Sequence, residues 1–328
     1  MRRAFRPGTR ANHATHFSTY LRFCEHYSCQ PVNPSVDTLC LYATHLARRL
    51  KSPKVVMNYL SSVKLLHDYW DEPAGNLDSF QLSLVKRGLK MNMRHAERQR
   101  LPIDPPLLKK LCRACDQARS PAGRMLKCAI LLAFYGFLRQ SNLAPAKGSK
   151  FDHTRHTCRG DIIVDKNNAI SILIKWQKNR QTLNEKLVTP LPKISDPVMD
   201  PYRAYVDMLK DVPTASDNDP LLLLPSKRTP EVVSIDTLRR GFNDLLTASG
   251  LDSRLYSLHS LRRGGASTAY ATGAPPRDVQ LHGGWKSQAF WGYIATPRES
   301  SAVAHALARA ASNTAASCSS KGAENTRQ

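Results

Sequence analysis

The residues that could do chemistry crowd into 257–294, SLHSLRRGGASTAYATGAPPRDVQLHGGWKSQAFWGYI. His259 and Arg262 are three apart, so on a helix they share a face. Ser257 stands where it can cap that helix and aim its positive end at an anion. Arg263 adjoins Arg262, and a Gly283-Gly284-Trp285 turn and Tyr293 follow. Such groups suit a phosphodiester. On the way to a pentacoordinate transition state the nonbridging oxygens gain charge, for which two guanidinium groups are the natural clamp. A nucleophile must attack, and a general acid must protonate the leaving oxygen. His-x-x-Arg alone is weak, since about one is expected by chance in a chain this rich in both residues. Its weight comes from the company it keeps.

The elements that would position these groups are mainly helical. A first helix runs from about Thr9, with Phe17, Leu21 and Cys24 on one face. A second starts near an Asp37 cap and places Leu39, Tyr42, Ala43, Leu46 and Leu50 at helical spacing. Ser52 as cap and Pro53 at the first position open a third, with the stripe Val56, Tyr59, Leu60, Val63, Leu66 and Trp70. A fourth, about 78–91, carries Phe80, Leu82, Leu84 and Leu89 less regularly. Arg48, Arg49, Lys51, Lys54, Lys64, Lys86, Arg87 and Lys90 accompany these stripes. Singly each is a solvated helix residue; together they suggest a helical module lying along a phosphate backbone. The periodicity stops at 92–100, NMRHAERQR, and Pro102, Pro105 and Pro106 follow. This basic linker, with Arg94 in it, is the best domain boundary and could itself cross DNA.

Beyond the linker, Asp104 caps a helix to about Gln117, and another begins near Pro121. The second is apolar on most sides through Phe134 and Phe137, which makes it a core helix. It ends in GFLRQSNL, from which Arg139 emerges. Short β-branched runs at 161–164, 169–176 and 186–190, turned at Lys166-Asn167-Asn168, predict a small antiparallel sheet. Its second loop presents Lys175, Lys178 and Arg180 beside a strand end. Helices return at about 201–210 and 236–248, the latter ended by Gly250; LLLL at 221–224 reads as a strand or a buried linker. A short amphipathic helix at 299–311 has a small apolar face suited to a partner surface, and the polar stretch 312–328 is expected to be disordered.

Composition narrows the class. With 328 residues and 41% hydrophobic content, two folded domains fit and global disorder does not. No apolar run reaches bilayer length, and the basic N-terminus lacks the apolar core of a secretory signal. A formal charge of +22 points to a polyanionic partner, nucleic acid ahead of a membrane surface. The cysteines do not form a disulfide scaffold, and Cys24, Cys40 and Cys128 read as small core residues in a reducing compartment. Neither Cys112-x-x-Cys115 nor the cluster His153, His156 and Cys158 completes a zinc ligand set.

Taken in order, FLRQSNL, IKWQKNRQ, HSLRRGGA, HGGWKS and WGYI resemble the tyrosine recombinase (phage integrase) family, across roughly 9–310. Trp285 is the Cre-like form of a motif where many integrases carry His. The wording is similar to the recombinases of Crypton and DIRS mobile elements. The resemblance implies a mainly α fold with a small antiparallel sheet. Its parts would be a helical core-binding (SAM-like) DNA-clamp domain at 1–91, a linker at 92–103 and an α/β catalytic domain at 104–311. It implies that Arg139 and Arg262 clamp the scissile phosphate, and that His259 bonds it and assists proton transfer. Lys178 would protonate the departing 5′ oxygen, Trp285 would pack or donate its indole N–H, and Tyr293 would attack to leave a 3′-phosphotyrosyl link. No metal, ATP or organic cofactor is implied. The implied partners are double-stranded DNA and three further copies of the chain, docked through 299–311 into a tetramer that passes through a Holliday junction. The implied location is intracellular and DNA-associated, in the nucleus if the source is eukaryotic.

Several positions depart from the pattern or compete with it. Lys175 could take the general-acid role, although it ends the strand while Lys178 lies in the loop. Asn142 stands where many relatives carry an acid. Trp285 to Tyr293 is eight residues, one fewer than is common, and on a continuous helix one residue is a rotation of about 100°. The turn after Trp285 must therefore adjust, and Gly292 lowers helix propensity there. Arg263 reads as a phosphate contact or a solvated residue, His282 as structural or a DNA contact, and Tyr256 and Tyr270 as packing. The alternative functions are a non-catalytic DNA-binding protein descended from such an enzyme, and type IB topoisomerase-like relaxation.

Overall fold

The structure is a computed structural model that describes residues 5, 7–93, 100–176 and 186–294. The chain divides into two compact units, Met1–Arg98 and Gln99–Gln328.

The first unit is helical: α1 (Pro7–His26), α2 (Val36–Arg49), α3 (Pro53–Trp70) and α4 (Phe80–Asn92). Tyr20, Phe23, Leu39, Tyr42, Leu46, Val56, Leu60, Val63 and Leu82 make its core. The periodicity locates the helices but misplaces two starts. Ser35, not Asp37, caps α2 by accepting from Thr38 N at 3.1 Å. Ser79 caps α4, while Asp78 ends a 3-10 turn, Gly75–Asp78, and pairs with Lys64 at 2.8 Å. Serine and aspartate both satisfy an N-terminal N–H, so a chain offering both within a few residues leaves the choice to packing. Trp70 and Phe80 fall at helix ends and are exposed rather than buried.

The second unit is built on α6 (Pro121–Tyr135), which packs against α5 (Pro105–Gln117), α8 (Pro201–Leu209), α9 (Ile235–Ala248) and α10 (Leu258–Ala271). Contacts on so many sides explain why α6 is apolar nearly throughout; its one buried lysine, Lys127, meets Asp116 at 2.8 Å. A short helix α7 (Gln140–Leu143) follows α6 directly. The sheet is antiparallel, in the order β1 (Ile162–Val164), β2 (Ile170–Ile174) and β3 (Leu187–Pro190). In register, Ile162 faces Ile172 and Ile172 faces Thr189. Ile170, Ile172 and Ile174 point inward, the period-2 alternation of a half-buried strand. Leu221 and Leu222 are buried linker, and Leu223–Leu224 form β4, paired with β5 (Glu231–Val232). After α11 (Pro276–His282), a satellite core of Phe137, Ala266, Val279, Trp285, Phe290 and Ile294 seats the last described segment.

Candidate active site

Helix α10 opens at Ser257, whose N–H donates to Ser260 Oγ at 3.0 Å. Its Gly264-Gly265 pair runs against helix propensity, and close packing is the reason. A Cβ on Gly264 would lie 1.8 Å from Ile103 O, and one on Gly265 would lie 2.1 Å from Phe134 O. Backbone therefore passes α10 at van der Waals distance on two sides. On the first side, Leu101 N donates to Leu255 O at 2.8 Å and Ile103 N to Ser260 O at 3.1 Å. Arg263 adds to this seam by donating to Arg100 O at 2.8 Å.

On the second side, the close approach brings Arg262 to the end of α6. Arg262 is 2% exposed; its Nη1 donates to Phe137 O and its Nη2 to Gly283 O at 2.8 Å. The Trp285 ring lies over it, 3.9 Å from Cζ to centroid, and Tyr293 lies 5.3 Å away by the same measure. Gly283 is what lets the indole fold back, since a Cβ there would meet the Trp285 ring at 1.7 Å. Burial, and then the charge of Arg139, push the Arg262 pKa down to about 9, with the Tyr293 hydroxyl opposing the fall. The group stays cationic at neutral pH.

Arg139 reaches the same place from the turn after α6. Phe137 has φ 46°, a left-handed conformation that a bulky residue adopts only under tertiary constraint. Its buried ring and the carbonyl bonded by Arg262 supply that constraint. Arg139 then caps α7: its N–H donates to Asn142 Oδ1 at 3.1 Å, and Asn142 Nδ2 donates to Trp176 O at 3.0 Å. The Arg139 side chain is half-buried, and burial lowers its pKa against the opposing influence of Tyr293.

Tyr293 closes the cluster, with ring centroids 5.0 Å from His259 and 4.9 Å from Trp285. The eight-residue step is accommodated because no continuous helix joins Trp285 to Tyr293. Gly284 takes φ 65°, a 3-10 turn spans Gln288–Gly292, and Ser267 Oγ donates to Tyr293 O at 3.2 Å. His259 reaches solvent, yet its pKa is lowered by the surrounding protein and by the charges of Arg262, Arg139 and Arg263. An anionic phosphate would reverse the electrostatic part of that shift. Arg262 Nε and Trp285 Nε1 are buried with no hydrogen-bond partner among the described residues, two donors left beside the half-exposed arginine. Phosphate oxygens are the acceptors that such donors suit.

No protein-family profile and no curated sequence matches the chain. Solved structures do. A variant of the Tn1549 transposon integrase in complex with transposon right-end DNA superposes with a TM-score of 0.61 at 15% identity, over 93% of this chain and 95% of that one. XerH site-specific recombinase, bound to its difH substrate, gives 0.57 at 15% identity, over 84% and 71%. The lambda integrase tetramer on a Holliday junction gives 0.56 at 16% identity, over 88% and 74%. The fold is that of the tyrosine recombinases.

In this recombinase fold the cations named from the sequence divide. Lys54, Arg87 and Lys90 are exposed. Lys64 is exposed too, in its pair with Asp78. Lys86 donates to Leu77 O at 3.0 Å, and Lys175 is sequestered against Asp161 at 2.7 Å and Cys158 Sγ at 3.2 Å. Although burial disfavours its charge, those bonds hold the Lys175 pKa above the usual lysine value. Lys178, Arg180, Arg94 and the 299–311 helix lie outside the described residues. His282 is structural, bonded to Tyr135 O at 2.7 Å and edge-on to Phe137. Tyr270 packs edge-on to Trp291, and Tyr256 packs on the main core. Cys112 and Cys115 are buried, with thiol pKa values raised by burial. Among the described residues no three His, Cys, Asp or Glu side chains converge as metal ligands, and no helix is long and apolar enough to cross a membrane. Sequence reasoning names Gly283 in the turn before Trp285 but passes over Gly264 and Gly265 as site-builders. Two glycines inside a helix were the available signal, a local rule broken without local reason.

Proposed function

We propose that the chain is a site-specific DNA recombinase or integrase of a mobile element, cutting and rejoining strands through a 3′-phosphotyrosyl intermediate. The observation that carries this is the convergence of His259, Trp285 and Tyr293 on Arg262, with Arg139 near enough to perturb both His259 and Arg262. In the reaction the Tyr293 phenolic oxygen bonds to phosphorus and the bond from phosphorus to the 5′ oxygen breaks. The phenol proton leaves toward His259, which also hydrogen-bonds the phosphate. Lys178 gives a proton to the departing 5′ oxygen. Arg139, Arg262 and the Trp285 N–H hold the nonbridging oxygens as charge grows on them. No step is assigned to a metal or cofactor, and rejoining is the same sequence reversed. The 1–91 and 104–311 domains would grip duplex DNA, with four copies linked through 299–311. In this reading the DNA-bound structures of the same fold supply the substrate class.

The test is a nicked suicide duplex that loses its 5′-hydroxyl fragment after cleavage. The protein should form a covalent adduct, and Tyr293→Phe should bind the duplex without forming one. An adduct that persists in Tyr293→Phe would overturn the nucleophile, and binding without any adduct would overturn the enzyme.

A further inference from the structure

Helix α10 carries more of the site than His259 and Arg262. Five residues after Arg262, about 7.5 Å along the helix axis, Ser267 Oγ donates to Tyr293 O at 3.2 Å. Other helical hydroxyls in this chain behave differently. Thr19, Thr44, Ser61 and Thr272 each donate to the carbonyl four residues back, the local bond that serine and threonine ordinarily make in a helix. Ser267 reaches 26 residues onward. The segment it meets is loosely packed just there. A Cβ on Gly292 would find nothing within 4 Å, so packing does not set the backbone that leads into Tyr293. Trp291 is exposed, with edge-on contact to Tyr270. At the start of the turn, Gln280 Nε2 donates to Ser287 O at 3.2 Å. Side-chain donors from outside thus hold the main chain of 287–293 at both ends. The donor at the tyrosine comes from the helix that carries Arg262.

We infer that Ser267 is a positioning residue, which fastens the nucleophile to the same rigid element as Arg262 and so sets the Tyr293 phenol against the phosphate clamp. The inference rests on the proposed cleavage reaction. Ser267 acts through the Tyr293 carbonyl and not on a reacting atom, and its effect differs between the two directions of the reaction. Before cleavage the tyrosine is free and must be held against the phosphate, which is where orientation lowers a barrier. After cleavage the DNA holds the ring through the phosphotyrosyl bond, and base pairing positions the attacking 5′ oxygen. Loss of the serine hydroxyl therefore burdens cleavage more than rejoining. A serine that only stabilises the fold would burden both alike, through a smaller share of active protein.

The experiment measures single-turnover cleavage of the nicked suicide duplex at saturating protein, then rejoining of the isolated adduct when a complementary 5′-hydroxyl strand is added back. Ser267→Ala removes the donor to Tyr293 O. We expect it to slow cleavage by roughly 10-fold and rejoining by less than about 2-fold, with duplex affinity unchanged. Ser267→Cys keeps nearly the same side-chain volume but donates weakly, so its cleavage rate should fall between alanine and wild type. Rejoining slowed as much as cleavage or more in Ser267→Ala, or cleavage not slowed at all, would overturn the inference while the wild-type adduct and the adduct-free Tyr293→Phe stood. If Ser267→Ala fails to fold, the ratio of the two rates in Ser267→Cys decides alone. A wild-type chain that forms no adduct would remove the underlying reaction as well.

Discussion

Arg139 and Arg262 bring the same side chain to one cluster, from the turn after α6 and from the first turns of α10, and the two regions treat it differently. Arg262 is 2% exposed, bonded through both Nη atoms to the Phe137 and Gly283 carbonyls and covered by Trp285. Arg139 is half-buried and anchored through its backbone, with its N–H on Asn142. Among the described residues no protein acceptor takes the Arg139 guanidinium. One arginine is built into the protein and the other is presented by it. A charged group bonded to two buried carbonyls is a fold element as much as a site residue, because removing it leaves both acceptors without donors. A presented cation contributes little to folding and is available to a ligand.

The largest expected effect tests that division directly. Arg262→Ala should destabilise the second unit by roughly 3–5 kcal/mol through two orphaned carbonyls and lost packing under Trp285. Arg139→Ala should stay within about 0.5 kcal/mol of wild type while forming no DNA adduct. Urea unfolding together with adduct formation separates the two; equal stability losses would dissolve the distinction. Next in size is Gly264→Ala. Its new Cβ would sit 1.8 Å from Ile103 O, so α10 and the 101–103 segment must part. A loss of about 3 kcal/mol is expected. It should weaken Arg262 along with it, because α10 carries that arginine toward the α6 end. A Gly264→Ala protein of wild-type stability would mean that the close crossing is not what holds Arg262 in place.

Much of this arrangement is legible in the chain, and the reason is physical. Helical stripes such as Val56, Leu60, Val63 and Leu66 report the period of the face they bury, and the alternation in 170–174 reports a strand. The side chains of the HSLRRGGA, HGGWKS and WGYI motifs announce their chemistry by type. What the chain does not announce is the role of main-chain atoms. Arg262 is held by the carbonyls of Phe137 and Gly283, and any residue type supplies a carbonyl. Asn142 bonds to Trp176 through the latter's oxygen, a partner no motif encodes. Lys175 and Asp161 lie fourteen residues apart and meet only because β1 and β2 pair in register. The eight-residue step to Tyr293 is a mismatch only for a continuous helix, and this segment folds as a 3-10 turn.

A smaller effect reads the open side of the cluster through pH. His259 titrates below the ordinary 6.5 because the surrounding protein, Arg262, Arg139 and Arg263 all disfavour its cation. The folded chain then binds fewer protons than the unfolded one just below that value. The contribution of His259 is complete above pH 6.5 and is lost as pH falls toward the folded pKa. His259→Gln should flatten the fall in urea midpoint between neutral and mildly acid pH. Adding duplex DNA should raise the His259 midpoint in an NMR titration, since phosphate charge offsets the arginines. A midpoint unmoved by DNA would mean that those charges do not face the ligand.

The smallest effect extends the contrast between the two arginines to the other cations. Lys86 is tied to Leu77 O and Arg263 to Arg100 O, whereas Lys54, Arg87 and Lys90 are exposed. A cation that neutralises a DNA phosphate releases a counterion, and the logarithm of affinity falls with the logarithm of salt by about 0.9 per contact. Replacing Lys54, Arg87 and Lys90 one at a time by Gln should therefore lower the salt slope of duplex binding by about 1 for each residue that meets a phosphate. Their folding stability should barely change. Lys86→Gln and Arg263→Gln should do the reverse, leaving the slope nearly unchanged and weakening the fold by loss of a hydrogen bond to a carbonyl. Fluorescence anisotropy across a salt series measures the slope and urea unfolding the stability. If Lys86 and Arg263 change the slope as much as the exposed cations do, an internal bond does not withdraw a cation from DNA. The difference between Arg262 and Arg139 would then be one of exposure alone.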